Sequence, residues 1–181
     1  MKLLKHLTLL LALASGTTQA ALDLGDAAPD FTATAALGGE VFEFSLQKEL
    51  KKGPVVLYFF PASFSEGCSL EAHSFADAID QFKALGATVV GVSRDEIEAQ
   101  KRFSVAACRG KFAVAADPDQ KVMKAYDAVL TLRPEYANRV TYLIAPNSTV
   151  AYQYTSLNPD KHVQKTLDAL RDWVARKPPS R

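Results

Sequence analysis

Six consecutive apolar residues, Val55-Val56-Leu57-Tyr58-Phe59-Phe60, stand between Pro54 and Pro61. A half-exposed strand would alternate polar and apolar side chains. An unbroken run this short, rich in β-branched and aromatic residues, reads instead as a strand buried on both faces. Such a strand needs helices above and below its sheet, which places the chain among α/β folds. The flanking patterns agree. Apolar side chains recur with helical spacing at Leu70, Phe75, Ala78, Ile79, Phe82 and Leu85 until Gly86 closes the pattern. Thr88 to Val92 is strand-like, Asp95 to Cys108 is helical with Gly110 as its stop, Phe112 to Ala116 is a strand, and Asp117-Pro118 caps a helix through Tyr126. Upstream, Gly38-Gly39 turns into a short alternating strand over Val41 to Phe44, and Ser45 caps a helical piece ending near Gly53. Downstream, Val140 to Ala145 and Val150 to Tyr154 flank Pro146-Asn147-Ser148-Thr149 and predict a hairpin. A closing helix, Pro159 to Arg176, carries Val163, Leu167, Leu170 and Val174 on one face. The order implies parallel central strands with an antiparallel edge.

Composition narrows the class. With 181 residues, 48% of them hydrophobic, the chain has material for one domain with an ordinary core. A formal net charge of +1 without a local Lys/Arg cluster argues against a phosphate-backbone partner, so no nucleic acid is expected. Residues 1–20 read as a signal peptide: Lys2 and Lys5, the apolar stretch Leu7 to Ala14, and the small-residue site Thr18-Gln19-Ala20. The apolar run is well short of the roughly 20 residues that span a bilayer. The expectation is a periplasmic or secreted mature chain, residues 21–181, with no membrane association after cleavage. In that compartment a disulfide between the two cysteines, Cys68 and Cys108, could persist.

The chemistry concentrates in Pro61-Ala62-Ser63-Phe64-Ser65-Glu66-Gly67-Cys68, where the central strand hands over to the long helix. The carboxyl end of such a strand is where an open α/β sheet gathers reactive groups. Cys68 in the first turn of the helix meets the positive end of the helix dipole, which favours thiolate over thiol. Ser65 can turn its hydroxyl toward the sulfur or a bound oxygen, and Pro61 fixes the entry of the loop. Glu71 and His73 lie on the first turns of the helix, where an acid complements the dipole and His73 reads as a surface residue.

The spacing Pro61-x-x-x-Ser65-x-x-Cys68 resembles the proline, threonine-or-serine, peroxidatic-cysteine motif of the peroxiredoxins, and Gly67-Cys68-Ser69-x-Glu71 is similar to their bacterioferritin-comigratory, or Q-type, branch. Four further stretches fall in the family's order: Gly25-Asp26-x-Ala28-Pro29-Asp30-Phe31, Gly91-Val92-Ser93, Asp117-Pro118-Asp119, and Arg139-Val140-Thr141-Tyr142-Leu143-Ile144. The resemblance implies a thioredoxin-like fold in its peroxiredoxin elaboration, a mixed central sheet flanked by helices. It also implies a thiol-dependent peroxidase. Cys68 would attack a peroxide oxygen and become a sulfenic acid, Ser65 and Arg139 would hold the two peroxide oxygens, and backbone N–H groups at Gly67 and Cys68 would complete the cradle. No metal or organic cofactor is required. The partners implied are a small peroxide and a thiol reductant (thioredoxin-like, glutaredoxin-like or a small thiol), and the expected state is a monomer. Many Q-type members place a resolving cysteine where this chain has His73; a second group places it in the following helix, where Cys108 lies.

For Cys108 three roles stand open: an inert buried thiol, one end of a structural bridge, or the resolving thiol. Two other functions fit the same fold. A cell-envelope thiol-disulfide protein would need a second cysteine at position 71, which is Glu71. A metal-delivery module would need a cysteine and histidine near Cys68 at ligand spacing, which the sequence does not offer.

Overall fold

The computed structural model describes residues 21–176; the expected signal peptide and the tail 177–181 lie outside them. Seven strands form one sheet: β1 (Thr32–Leu37), β2 (Glu40–Ser45), β3 (Val55–Phe59), β4 (Thr88–Ser93), β5 (Ala113–Ala116), β6 (Val140–Ile144) and β7 (Val150–Thr155). Their order is β2-β1-β5-β4-β3-β6-β7. β3, β4 and β5 run parallel, while β1 and β6 pair antiparallel to β5 and β3 at either side. Among the described residues the sheet is accompanied by five helices: α1 (Leu46–Leu50), α2 (Glu66–Ala84), α3 (Ile97–Ala106), α4 (Lys121–Ala125) and α5 (His162–Ala175), the last preceded by a 3-10 turn at Pro159–Lys161. No helix among the described residues is long and apolar enough to cross a membrane.

Every residue of β3 is buried, as the apolar run requires. Its side chains alternate between two apolar layers rather than one core. Val55, Leu57 and Phe59 point to the layer with Phe44, Tyr126 and Tyr142. Val56, Tyr58 and Phe60 point to the layer under α2, α3 and α5, which holds both cysteines. The local signals for the other elements are equally direct. Ser45 Oγ accepts from Lys48 N–H at the start of α1, and Asp117 accepts from Val122 N–H and Met123 N–H at the start of α4.

The tertiary structure departs from the local pattern in two places. The small-residue stretch Thr32-Ala33-Thr34-Ala35-Ala36-Leu37 carries no clear strand pattern, yet it forms β1, because β2 and β5 pair with it on both sides and bury Ala35 and Ala36. In α2, Leu70, which its spacing placed on the apolar face, is exposed, and Glu71 is fully buried. The buried stripe runs through Cys68, Glu71, Ala72, Phe75 and Ile79, spaced three and four residues apart.

A second network fixes the loop that leads to α2. Asp95 Oδ2 accepts from Ser63 N–H at 2.7 Å and from Ser93 Oγ at 2.6 Å, so the end of β4 pins the loop after β3. Buried Gln100 donates to Ser93 Oγ and to the Ala115 carbonyl, tying α3 to the same point. Phe64 sits in the left-handed region, at φ 65°, with its ring edge-on to Phe103 at 5.3 Å.

Candidate active site

Cys68 lies in the first turn of α2 with its side chain buried. The first hydrogen bond of the helix joins Ser69 N–H to the Ser65 carbonyl at 2.9 Å, so the N–H groups of Gly67 and Cys68 precede the ladder and face the site. Across from the sulfur stands Arg139, the residue before β6. Its Nη2 lies 3.4 Å from Cys68 Sγ, and its Nε donates to the Leu157 carbonyl at 3.0 Å. Its Nη1 is hydrogen-bonded to Glu71 Oε2. The guanidinium is thus held on three sides by groups from α2, from the segment after β7 and from the sulfur itself. Gly67 belongs to this wall: a Cβ there would sit 3.4 Å from Arg139 Nη2, so a larger residue would crowd the approach.

The electrostatics follow from burial. Burial works against Arg139's charge, but the Glu71 carboxylate and the Cys68 sulfur outweigh it and hold the guanidinium protonated more firmly than usual. Desolvation raises Glu71 to about 7, with Arg139 pulling the other way. His162, at the start of α5, is buried and lowered to about 4, first by desolvation and then by Arg139, against a hydrogen bond to the Ser156 carbonyl. Burial also pushes the Cys108 thiol well up.

Of the residues expected at the site, Cys68, Gly67 and Arg139 are brought together, with Pro61 and Ser65 on the loop that presents them. Ser65 departs from expectation: its hydroxyl donates to the Ala62 carbonyl at 3.1 Å, directed to neither the sulfur nor a capping amide. Cys108, just beyond α3, is buried and free, as is Cys68, and both line the same apolar layer. The sequence reading gave Glu71 only a place in the motif and a favourable charge for the dipole, and gave His162 no role at the site. Glu71 could have been found, since three residues after Cys68 in a helix is the same face. His162 carried no such signal, because a loop and a turn of another helix bring it in. Among the described residues no group of three or more His, Cys, Asp or Glu side chains could hold a metal ion.

A buried arginine in contact with a helix-start cysteine, with a carboxylate where a dithiol protein would carry its second cysteine, marks out a candidate thiol site on this mixed sheet. The comparisons with known proteins agree. The AhpC/TSA family model matches residues 24–153. Putative chloroplastic peroxiredoxin Q of Oryza sativa subsp. indica is 36% identical over 148 residues, which is 81% of this chain and 66% of that protein. Chloroplastic peroxiredoxin Q of Sedum lineare is 35% identical, covering 81% of this chain and 77% of its own. The chain therefore spans about two thirds to three quarters of these relatives. Among solved structures, peroxidoxin BcpB of Mycobacterium tuberculosis superposes with a TM-score of 0.74 at 28% identity, covering 86% of this chain and 98% of that one. The Plasmodium vivax 2-Cys peroxiredoxin, at 22% identity and a TM-score of 0.75, shares the fold. The chain belongs to the AhpC/TSA family, the peroxiredoxins, on their Q-type branch.

Proposed function

We propose that this peroxiredoxin is an exported, thiol-dependent reductase of hydrogen peroxide or small organic hydroperoxides in which Cys68 is the peroxidatic residue and Cys108 resolves it. The observation that carries the reading is the 3.4 Å contact between Arg139 Nη2 and Cys68 Sγ at the start of α2. A cation at that distance interacts more favourably with a thiolate than with a thiol, and both it and the free N–H groups of the first turn can hold a peroxide oxygen. The thiolate sulfur attacks the terminal peroxide oxygen. The O–O bond breaks, the electron pair leaves with the distal oxygen, and that oxygen takes a proton to become water or an alcohol. Sulfur is oxidised to S–OH as the peroxide is reduced. The Cys108 sulfur then attacks the sulfenic sulfur, forming S–S and releasing water, and an external dithiol reduces the bridge.

Burial of both cysteines means that the second step requires the first turn of α2 and the last turn of α3 to open. Asp95 pins the loop before α2 in the reduced chain. The basic-apolar-small leader of residues 1–20 supports a periplasmic or secreted location, where the bridge would need a compartment-specific thiol donor. A monomer is the state assigned.

The test follows peroxide loss with the mature protein and a dithiol. Wild type turns over, Cys68→Ser is inactive, and Cys108→Ser stalls after one equivalent unless excess small thiol is supplied. Turnover surviving in Cys68→Ser would end this reading.

A further inference from the structure

At the end of the sheet away from Cys68, an open cleft of about 300 Å³ lies between the carboxyl end of α2, the amino ends of β4 and β5, and the β1–β2 hairpin. Its floor is apolar and buried: Phe44 of β2, Ile79 of α2, Val89 of β4 and Phe112 just before β5. The hairpin closes the wall only in part, since Leu37 and Phe42 each keep 40% of their surface in water. A body with apolar surface of its own gains by taking the place of that water.

The rim of the cleft is charged, and the charge is unmatched. Lys83 of α2 and Lys111 of the turn before β5 line it, both exposed, and neither side chain has an ion pair or hydrogen bond among the described residues. The acid that lines it, Glu49, is already engaged. Its Oε1 accepts from Lys52 Nζ at 2.7 Å and its Oε2 from Thr88 Oγ1 at 3.1 Å.

Apolar walls with two unmatched cations select an anion that carries an apolar body. A small inorganic anion would leave the floor wet, and a neutral hydrocarbon would leave the lysines without a counter-charge. Size sets the rest. A cavity of about 150 Å³ takes up one benzene ring, so this cleft holds about two fused rings or a chain of about ten carbons. We propose that the cleft is a binding site for apolar monocarboxylates, with the carboxylate held by Lys83 and Lys111 and the hydrocarbon laid against Phe42, Ile79 and Phe112. Long, flexible lysine stems suit a carboxylate whose tail, rather than its head, fixes the pose.

The peroxide site lies elsewhere. Cys68 follows the carboxyl end of β3 and Arg139 precedes the amino end of β6, which pair there, whereas Val89 and Phe112 stand at the opposite end of the parallel strands. Binding in the cleft therefore stands whether or not Cys68 reduces peroxides.

The test is a titration of the full mature chain, labelled with 15N, with 2-naphthoate as the probe and 2-naphthol as a neutral ring of the same size. Naphthoate should shift the amide resonances of Phe42, Val89, Phe112 and Ala113 saturably while those of Gly67 and Cys68 stay in place, and decanoate should displace it. In the Lys83→Gln/Lys111→Gln double variant naphthoate should bind about tenfold more weakly, with naphthol unaffected by the change. Phe42→Ser should weaken both probes about five- to tenfold. In wild type, raising NaCl from about 20 to about 300 mM should weaken naphthoate several-fold and leave naphthol little changed, which decides the role of charge even if a variant fails to fold. Absence of saturable shifts at the cleft, shifts centred on the Cys68 loop, equal binding of naphthoate to wild type and the double variant, or binding indifferent to salt would overturn the proposal. So would a concentration-dependent dimer abolished by Phe42→Ser in sedimentation, because a second copy would then be what covers the cleft.

Discussion

At the residue scale the site is a problem of one guanidinium with three obligations. Arg139 must bond Glu71, the Leu157 carbonyl and the Cys68 sulfur together, and only a planar fork with several N–H groups can do so. Arg139→Lys keeps the charge but satisfies one partner at a time; we expect Cys68 oxidation to slow by about ten- to a hundredfold, and Arg139→Met by about a thousandfold, in stopped-flow oxidation. Glu71 has a stability consequence as well. Its value is raised in the folded chain from 4.5 to about 7, so the folded state binds its proton more tightly than the unfolded state over that window. The stability this gives is complete below about pH 4.5 and is lost as pH rises through 7. His162, lowered from 6.5 to about 4, contributes with the opposite sign. In urea denaturation, Glu71→Gln should therefore gain on wild type by about a kcal/mol per pH unit between those limits and run parallel to it outside them. The motif made Cys68 and Arg139 legible, but not the burial of Glu71. A carboxylate three residues after the cysteine, in the second turn of the helix, can face water or the core, and only the rotation of α2 against β3 and α5 decides which.

At the element scale the active loop depends on the end of a neighbouring strand. Asp95 holds Ser63 N–H, so Asp95→Ala should remove no reacting group yet lower kcat/KM about tenfold, by letting the start of α2 shift. Its fold, checked by circular dichroism, should be retained. β4 also carries a packing demand. A Cβ on Gly91 would lie 2.7 Å from Tyr58 Cζ, so the glycine makes room for the ring of the strand beside it. Gly91→Ala should destabilise the protein by about 1–3 kcal/mol in denaturant unfolding, because the stacked rings of Tyr58, Phe60 and Phe75 leave little space to yield. The apolar run identified β3 and its neighbours, and turn residues delimited α1 and the β6–β7 hairpin. β1 escaped because alanines and threonines have weak preferences of their own, and its strand state comes from pairing with β2 and β5.

At the scale of the whole molecule, one apolar layer buries both thiols, and in the proposed cycle its loosening connects them. One equivalent of peroxide should cost the chain two hydrogens by intact mass and reduce its far-ultraviolet helix signal, because in the proposed cycle the start of α2 and the end of α3 open to join two buried thiols. Cys108→Ser should gain one oxygen instead and keep its helix signal. The chain's residues determined the sheet's buried centre, the helices that cover it and the position of its nucleophile, because runs, periods and caps are local properties that each segment carries with it. Tertiary structure alone decided which polar groups stand behind the arginine. Glu71, Thr141, Ser156 and His162 come from α2, β6, the segment after β7 and α5, and burial acts on them only after those elements have packed.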